Sequence, residues 1–207
     1  MVEKLLQWLT VPAHEPSTPQ EYFARLPVLE TPRLTLRRLT MQDARDMYRY
    51  TQDPEVARQV LWDAHTSVWD TKAYLRYVLY QYRSGEPSSW GIVDRESGCV
   101  IGTIGFMSYS AEHAVVEVGY SLSRAYWNRG LMTEALTAVL REAFTALKLH
   151  RVEAMHFPDN PGSGRVMEKC GMQFEGVLRG RVCRKGVYRD VALWGITRED
   201  WEKTPHS

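Results

Sequence analysis

The sequence has few cysteines and no long apolar run. Its only cysteines are Cys99, Cys170 and Cys183, and no C-x-x-C pair occurs. An odd number without paired spacing indicates free thiols in a reducing compartment rather than a disulfide framework. No run reaches the roughly 18 apolar residues of a membrane span, and the first residues lack the basic and apolar regions of a signal peptide. We therefore expect a cytoplasmic protein that does not enter a membrane.

Neither sign of charge is in excess. The 207 residues include 26 Lys and Arg against 25 Asp and Glu, a net charge of +1. This balance does not favour nucleic acid or an anionic membrane as a partner. The six histidines are scattered, and a metal site would need a local cluster of His and Cys side chains. We expect no metal.

The length suits one domain with small additions at its ends. We divide the chain into an N-terminal helical appendage with a proline-rich linker at 1–27, a domain at 28–203 and a tail at 204–207. Residues 1–10 predict a short amphipathic helix, and the three prolines within 11–19 predict the linker. A second short helix is expected over residues 20–26.

The first half of the domain predicts one strand, a helix, a short helical turn after Asp53-Pro54, a longer helix and a three-stranded meander. Alternation predicts a strand over 33–39, and Thr40 with Asp43 three residues later predicts the start of a helix that runs to about residue 52. A longer helix, rich in aromatic residues, is expected over 66–83. Antiparallel strands are then predicted at 88–94, 99–109 and 113–122.

The second half predicts a helical crossover and a closing hairpin. A helix is expected over 132–147, a strand over 151–156 parallel to the strand before the crossover, and a second helix over 161–170. Strands over 173–184 and 187–197 flank a Lys-Gly turn. The element order predicts an α/β fold whose mixed, mostly antiparallel sheet contains one central parallel βαβ crossover.

The stretch from Arg124 to Ala135 joins a strand to the crossover helix through a short basic turn with one glycine. The first N–H groups of a helix have no internal partners, and the helix dipole favours an anion there. Gly130 lets the backbone approach a ligand closely. The stretch therefore suits a phosphate, although an ordinary strand-to-helix connection explains it equally well. The G-x-G-x-x-G and P-loop patterns are absent.

A second motif lies downstream, where Asn160 to Met172 reads N-x-x-S-x-x-V-x-E-K-x-G. With the stretch from Arg124 to Ala135, it resembles the GCN5-related N-acetyltransferases (GNAT), and most closely their ribosomal-protein N-α-acetyltransferase, or Rim-type, branch. The resemblance covers about residues 28–203. Further matching pieces are Glu30 to Leu34, Ile101 to Gly105, Glu117 to Tyr120 and Phe174 to Arg179.

This resemblance implies a GNAT fold that binds acetyl-CoA. The strand that ends at Leu122 would splay from the strand after the crossover, and the pantetheine arm would pair with backbone groups near Tyr120 and Leu122. Gly119 suits a bulge there. Trp127 stands where family loops usually carry Gln or Arg. The residues expected to hold the diphosphate are Asn128, Arg129, Gly130, Leu131, Met132 and Thr133.

The resemblance also implies catalytic roles. Glu117 matches the position of a base, and partial burial in a hydrophobic strand would raise its pKa; a surface glutamate is the ordinary interpretation, and Glu112 and Asp94 are lesser alternatives. Ser163 matches a residue whose hydroxyl donates to the leaving sulfur. The alternative is a hydroxyl that forms hydrogen bonds only with backbone groups. Asn160 would orient the cofactor or the substrate amide, unless it is a simple turn residue.

Other residue types offer less for catalysis. Many GNAT enzymes carry a tyrosine seven residues after the asparagine, but Met167 stands there. A ping-pong route through Cys170 or Cys183 is disfavoured because neither has a neighbouring His in sequence. The arginines of the closing hairpin are interpreted as the solvated face of a strand. The alternative is a basic rim that binds an acidic acceptor or the 3′-phosphate of CoA.

We therefore expect an enzyme that transfers acetyl from acetyl-CoA to a primary amine by direct attack in a ternary complex. The resemblance makes a protein N-terminal α-amine, as in ribosomal-protein acetylation, the first choice. The alternatives are a small amine, such as an amino acid, polyamine or drug, or a non-catalytic acyl-CoA-binding module. Either a monomer or a homodimer is compatible with the sequence.

Overall fold

A computed structural model describes residues 18–203 as one eight-stranded sheet flanked by helices. The expected helix over 1–10, most of the linker and the tail lie outside the described residues. The strands lie in the order β1-β2-β3-β4-β5-β6-β8-β7. They are β1 (Leu29–Glu30), β2 (Leu34–Arg38), β3 (Ser89–Asp94), β4 (Val100–Ser110), β5 (Val115–Leu122), β6 (Arg151–His156), β7 (Gln173–Arg184) and β8 (Val187–Thr197).

Helices occupy the predicted positions and one unexpected one. They are α1 (Pro19–Ala24), α2 (Ala44–Thr51), α3 (Pro54–Arg58), α4 (Val68–Ser84), α5 (Leu131–Thr145), α6 (Pro161–Lys169) and α7 (Arg198–Lys203). Thr40 and Asp43 form the expected capping box, although a 3₁₀ turn, Met41–Asp43, precedes α2. Neither α7 nor the two-residue β1 was predicted. None of the helices between residues 18 and 203 is long and apolar enough to cross a bilayer.

The sheet opens between β5 and β6, its one parallel pair. Their pairing runs from Val115 opposite Arg151 to Val118 opposite Ala154 and stops there. Beyond that point β5 stays bonded to β4 as far as Leu122, while β6 stays bonded to β8 as far as His156. The two strands therefore diverge at their carboxyl ends, which confirms the predicted splay.

The expected bulge at Gly119 is wrong. Gly119 lies in regular register opposite Gly105, and the extra residue is Met107 in β4, between Phe106 and Ser108. A Cβ atom on Gly119 would lie 2.9 Å from Cγ of Met107. The glycine is therefore explained by the neighbouring side chain, for which it leaves room, and not by an irregular backbone.

The core contains residues from the predicted appendage as well as from the sheet. Phe23 in α1 is only 1% exposed and packs edge-on against the rings of Phe106 and Tyr109. The Tyr22 hydroxyl donates to Glu142 of α5 at 2.7 Å. These contacts join α1 to the sheet and to the crossover helix; the domain boundary at residue 28 stays a prediction.

Candidate active site

A cavity of about 300 Å³ lies where β5 and β6 diverge. Its walls come from the carboxyl ends of both strands, the turn before α5, the first turns of α5 and α6, and the segment at the end of α3. Nine of the eleven predicted site residues line this cavity. Arg129 and Glu117 do not themselves line it.

The amino end of α5 is left open for an anion. Gly130 is its N-cap, with φ at +75°, and no side chain caps this end. The backbone N–H groups of Leu131, Met132 and Thr133 occupy the first turn, where a helix supplies no acceptors. All three residues line the cavity, as does Asn128. Unpaired amides, the helix dipole and a glycine without a side chain fit a phosphate group of acetyl-CoA.

An ion pair supports this turn from outside. Arg33 donates from Nε to Glu134 at 2.7 Å and from Nη1 to the carbonyl of Arg129 at 2.9 Å. Thr31 also donates to Glu134, at 2.7 Å. Burial opposes ionisation of Glu134, but the bonds from Thr31 and Arg33 outweigh it and lower the pKa of that carboxyl. The guanidinium of Arg129 lies over the ring of Tyr126, a residue that lines the cavity, although Arg129 itself does not.

Trp127 contacts the strand that it follows. Its indole N–H donates to the carbonyl of Leu122 at 2.8 Å. This carbonyl lies in the part of β5 that has no partner in β6. Trp127 therefore holds the end of β5 in place, while a carbonyl oxygen retains a second lone pair for another donor. Pairing of a pantetheine arm near Tyr120 and Leu122 stays a prediction.

The hydroxyl groups of Tyr120 and Ser163 meet inside the cavity. Their oxygen atoms are 2.9 Å apart, and the Tyr120 hydroxyl also donates to the Ser163 carbonyl at 3.2 Å. Burial raises the pKa of Tyr120 well above its ordinary value, although the bond with Ser163 opposes the shift. The phenol is therefore protonated at neutral pH. Ser163 therefore does not bond only to backbone groups, because its hydroxyl also contacts a tyrosine of β5.

Asn160 caps the helix that carries Ser163. Its Oδ1 accepts from the backbone N–H of Ser163 at 3.3 Å, and Pro161 stands at the first helical position. Asn160 also lines the cavity. The cap fixes the first turn of α6, so Asn160 positions Ser163; its contact with a cofactor or substrate stays a prediction.

Glu117 lies beside the cavity rather than on its wall. Its register neighbour in β6 is Glu153, which is bonded by Arg151 at 2.8 Å. Burial raises the pKa of Glu117, the charge of Arg181 opposes this shift, and that of Glu153 adds to it. Among residues 18–203, Glu117 forms no ion pair within 4 Å. Glu117 is half-buried, and its role as a base stays a prediction.

The two faces of β5 point to different helices. Tyr120 reaches α6 on one face. On the other face, Ser121 bonds with Thr103 at 3.1 Å, and Tyr50 of α2 lies beside both hydroxyls. Glu117 shares that second face by strand alternation. It therefore projects toward the side of the sheet from which α2 continues into α3.

The alternative carboxylates, Glu112 and Asp94, do not line the cavity. Glu112 is exposed in the turn between β4 and β5, and Asp94 accepts from the hydroxyl of Ser97 at 2.6 Å. Asp94 is thus engaged in its own turn. Glu117 is the best placed of the three predicted carboxylates.

A histidine that the sequence analysis missed lies at the end of β6. His156 lines the cavity and accepts from the Trp194 indole through Nε2 at 3.0 Å. Its Nδ1 bonds with the carbonyl of Phe157 at 2.8 Å, so both contacts are satisfied by a neutral ring with its proton on Nδ1. A Cβ atom on Gly164 would lie 2.9 Å from His156 Nε2. α6 therefore packs closely against the end of β6 where Gly164 meets His156.

Two cations of α6 also line the cavity. Arg165 and Lys169 are four residues apart and lie on one side of the helix. Their i, i+4 spacing was a signal in the sequence, and they add positive charge for the phosphates of acetyl-CoA. By contrast, Arg184 and Arg189 of the closing hairpin are bound to the chain itself. Arg184 donates to the last two carbonyls of α3, and Arg189 pairs with Asp159 at 3.0 Å.

The described residues offer no metal site and no reactive thiol in the cavity. Between residues 18 and 203 no group of three or more His, Cys, Asp or Glu side chains could hold a metal ion. Cys99, Cys170 and Cys183 are free thiols. Burial raises the pKa of Cys170 to about 11, opposed by a bond with Thr137. Cys170 is therefore protonated and a poor nucleophile.

Comparison with known proteins agrees with this arrangement. A family model described as an acetyltransferase (GNAT) domain matches residues 33–173. The uncharacterized N-acetyltransferase YoaA of Bacillus subtilis (strain 168) is 33% identical over 172 residues, 83% of this chain and 97% of that protein. The ribosomal protein uS5-alanine N-acetyltransferase of Escherichia coli (strain K12) is 30% identical over 122 residues, 58% of this chain and 62% of that enzyme.

Solved structures give the same result. The crystal structure of a GNAT-family acetyltransferase from Bacillus anthracis matches with a TM-score of 0.74 and 27% identity, covering 84% of this chain and 99% of that one. The predicted GNAT fold is thereby confirmed. The chain belongs to the GNAT family and is an acetyl-CoA-dependent N-acetyltransferase.

Proposed function

We propose that this enzyme acetylates the α-amine at the N-terminus of a protein. The observation that carries the proposal is the absence of acidic side chains from the cavity wall: none of the residues that line it in the described chain is Asp or Glu, whereas Arg165 and Lys169 are present. A polyamine carries several positive charges and needs carboxylates to bind. An α-amine, with a pKa of about 8, enters partly neutral, whereas a lysine, at about 10.4, does not.

The similarity to the uS5-alanine N-acetyltransferase supports the same choice of acceptor. That enzyme is named for ribosomal protein uS5 and for an alanine that it acetylates. We extend this to a ribosomal or other protein N-terminus as the acceptor of the present enzyme. Small amines, such as an amino acid or a drug, are the competing acceptors.

The chain's own residues then take four roles. The open amides at the start of α5 hold the diphosphate, and acetyl-CoA supplies the acetyl group as a thioester. Glu117 takes the proton of the attacking amine through one water, since its side chain lies beside the cavity rather than on its wall. Tyr120 and Ser163 donate a proton to the leaving sulfur. One C–N bond forms and one C–S bond breaks. Glu117 gains the proton that the amine loses, and the sulfur gains the proton that the hydroxyl pair loses.

We infer direct attack in a ternary complex rather than transfer through a cysteine. Cys170 is buried and protonated, and none of the three cysteines lines the cavity. A covalent route would need an activated thiolate next to the thioester. The free thiols also support a cytoplasmic enzyme, and we propose that it works as a monomer or homodimer, without nucleic acid.

The test measures thiol release from acetyl-CoA with three acceptors. They are a peptide with a free N-terminal alanine and no lysine, the same peptide with a blocked N-terminus and one lysine, and spermidine. We expect turnover of the first peptide at least about tenfold above the other two, because its α-amine is partly neutral at pH 7 whereas the other amines are almost fully protonated. Faster turnover of spermidine would overturn the proposal. Binding of CoA without turnover of any acceptor would favour a non-catalytic module.

A further inference from the structure

Glu117 and Glu153 place two carboxylates side by side on one face of the sheet. They are register neighbours in the parallel pair of β5 and β6, and neighbouring strands lie about 4.8 Å apart. Side chains at paired positions project from the same face of a sheet. Like charges on adjacent strands repel each other, so this placement is unfavourable for stability. Placements that conflict with such a local rule occur mainly at functional sites.

Arg151 fixes the carboxylate of Glu153 in this position. Its Nε donates to Oε1 of Glu153 at 2.8 Å, and its Nη1 donates to Oε1 of Glu175 in β7 at 2.7 Å. Arg151 lies two residues before Glu153 in β6, so both side chains project from the same face. The guanidinium shares its single positive charge between two carboxylates. One negative charge of this group therefore stays uncompensated beside Glu117.

The neighbouring strand β8 leaves room for the guanidinium. Gly195 is the register partner of Glu153 in β8. A Cβ atom on Gly195 would overlap Nη2 of Arg151 and would lie 2.5 Å from Oε1 of Glu175. Any other residue at this position would displace the ion pair. The place of Arg151, and with it that of the Glu153 carboxylate, is therefore set by three adjacent strands of the sheet.

The charged groups that act on Glu117 come from β6 and β7. Burial is the largest cause of its raised pKa, the charge of Arg181 opposes the shift, and that of Glu153 adds to it. On the other side of β5, the register neighbour of Glu117 in β4 is the uncharged Ser108. Arg181 is exposed and forms no ion pair within 4 Å in the chain from residue 18 to 203. Glu153, by contrast, is half-buried and held by Arg151.

We propose that Glu153 is a positioning residue for acetyl transfer, because its fixed negative charge strengthens the hold of Glu117 on the proton that leaves the acceptor amine. Glu153 exchanges no proton with the acceptor and acts only through Glu117. The inference rests on the proposed function for the role of Glu117 as the base. A carboxylate that binds a proton more tightly is a better general base near neutral pH.

The test follows the ionisation of Glu117 directly and through catalysis. Carbon-13 NMR of enzyme labelled at the glutamate carboxyl groups gives the pKa of Glu117 in the resting enzyme, with Glu117→Gln to assign its signal. The pH profile of kcat/KM gives the acid limb, measured with the N-terminal alanine peptide, or with spermidine if the wild type acetylates only that amine. The acceptor is the same in every variant, so its own ionisation does not contribute to the differences between them.

The variants are expected to shift both values in opposite directions. Glu153→Gln keeps an oxygen for Arg151 and should lower the pKa of Glu117 and the acid limb by about 0.5–1 pH unit. Arg181→Gln should raise both. Glu175→Gln is the matched control, because it removes a carboxylate bonded to the same arginine but from β7, which β6 and β8 separate from β5. Its shift should be less than about half of that in Glu153→Gln.

The outcomes separate this inference from the proposed function. If Glu117→Gln removes the acid limb and Glu153→Gln leaves it in place, the role of Glu153 is refuted and Glu117 remains the base. An equal shift in Glu175→Gln also refutes it, since the effect would then come from net charge and not from the neighbouring carboxylate. If Glu117→Gln keeps the limb, the proposed base fails, and the role of Glu153 fails with it even where the NMR titration moves.

Discussion

The phenolic oxygen of Tyr120 and the hydroxyl oxygen of Ser163 lie 2.9 Å apart, although 43 residues separate them in the chain. The first residue belongs to the strand beside the opening of the sheet, and the second to the helix that follows the other strand. Each hydroxyl can donate to the other, so a proton lost by one can be replaced from its neighbour. We propose this pair as the proton donor to the leaving thiolate.

Removal of either hydroxyl should slow the release of thiol. We expect Tyr120→Phe and Ser163→Ala each to lower kcat about 10- to 100-fold, at the low end of general-acid effects because a thiolate leaves readily. The double variant should be no slower than the slower single one, since the two act as a unit. Steady-state thiol release measures this, and Tyr188→Phe on the exposed face of β8 is the control. Additive losses would contradict a shared role.

Glu117 should set the acid limb of the pH profile. Burial raises its pKa above the ordinary 4.5, and a base works only when ionised, so kcat/KM should fall as the pH decreases through this raised pKa. We expect Glu117→Gln to lower kcat about 100-fold and to remove that limb. Glu112→Gln, in the exposed turn, should keep the wild-type profile. An unchanged acid limb in Glu117→Gln would refute the assignment.

The same carboxyl makes a separate prediction for stability. A folded pKa above the unfolded one means that the folded state binds the proton more tightly, so stability falls as the pH rises through the window between the two values. Glu117→Gln cannot ionise and should not lower the Tm at pH 7. A lost kcat with an unchanged or raised Tm would distinguish a catalytic role from a structural one.

The two glycines that flank Ser163 should respond differently to alanine. A Cβ atom on Gly164 would lie 2.9 Å from His156 Nε2 and 3.4 Å from the Trp194 ring, whereas one on Gly162 would meet only Asn160 Oδ1, at 3.5 Å. We expect Gly164→Ala to lower the free energy of unfolding by about 1–3 kcal/mol, and Gly162→Ala to lower it not at all. Urea unfolding measures both; equal effects would show that α6 can shift away from His156.

Glu134 should support the phosphate turn in a pH-dependent way. Its folded pKa lies below 4.5, so its stabilisation is present above 4.5 and is lost as the pH falls through the folded value. Since Arg33 is half exposed and solvent screens the pair, we expect Glu134→Gln to lower the free energy of unfolding by only about 1 kcal/mol at pH 7.

The difference between Glu134→Gln and the wild type should shrink as the pH falls through the lowered pKa of Glu134, because the wild-type carboxyl becomes protonated there. The KM for acetyl-CoA should rise in the variant, because Arg33 also holds the carbonyl of Arg129. Glu168→Gln, on the exposed side of α6, is the control and should change neither quantity. A constant difference at all pH values would exclude the ionised carboxyl as its source.

Local patterns predicted most elements, because their hydrogen bonds join residues close in sequence. The strand over 151–156 and the hairpin strands over 173–184 and 187–197 have the expected limits. The capping box at Thr40 and the start of α6 at Pro161 were also predicted. Elements that are very short or that lack a turn before them were not predicted. β1 has only two residues, and α7 follows β8 without an intervening turn.

The candidate site was predicted in part. The stretch from Arg124 to Ala135 does form a turn and an open helix end, as its glycine and position indicated. The alternation of β5 placed Glu117 and Tyr120 on opposite faces. That alternation did not reveal which hydroxyl Tyr120 would meet, nor that Met107 in β4 would carry the bulge assigned to Gly119.

The sequence by itself determined the order of elements, the open amino end of α5 and the family, because periodicity, caps and glycine positions act within a few residues. Only the tertiary structure decided which side chains share the cavity. Gln59, Tyr120, His156 and Ser163 come from four separate elements, and the divergence of β5 from β6 brings them together. No local spacing encodes such contacts, since they depend on how distant segments pack around one core.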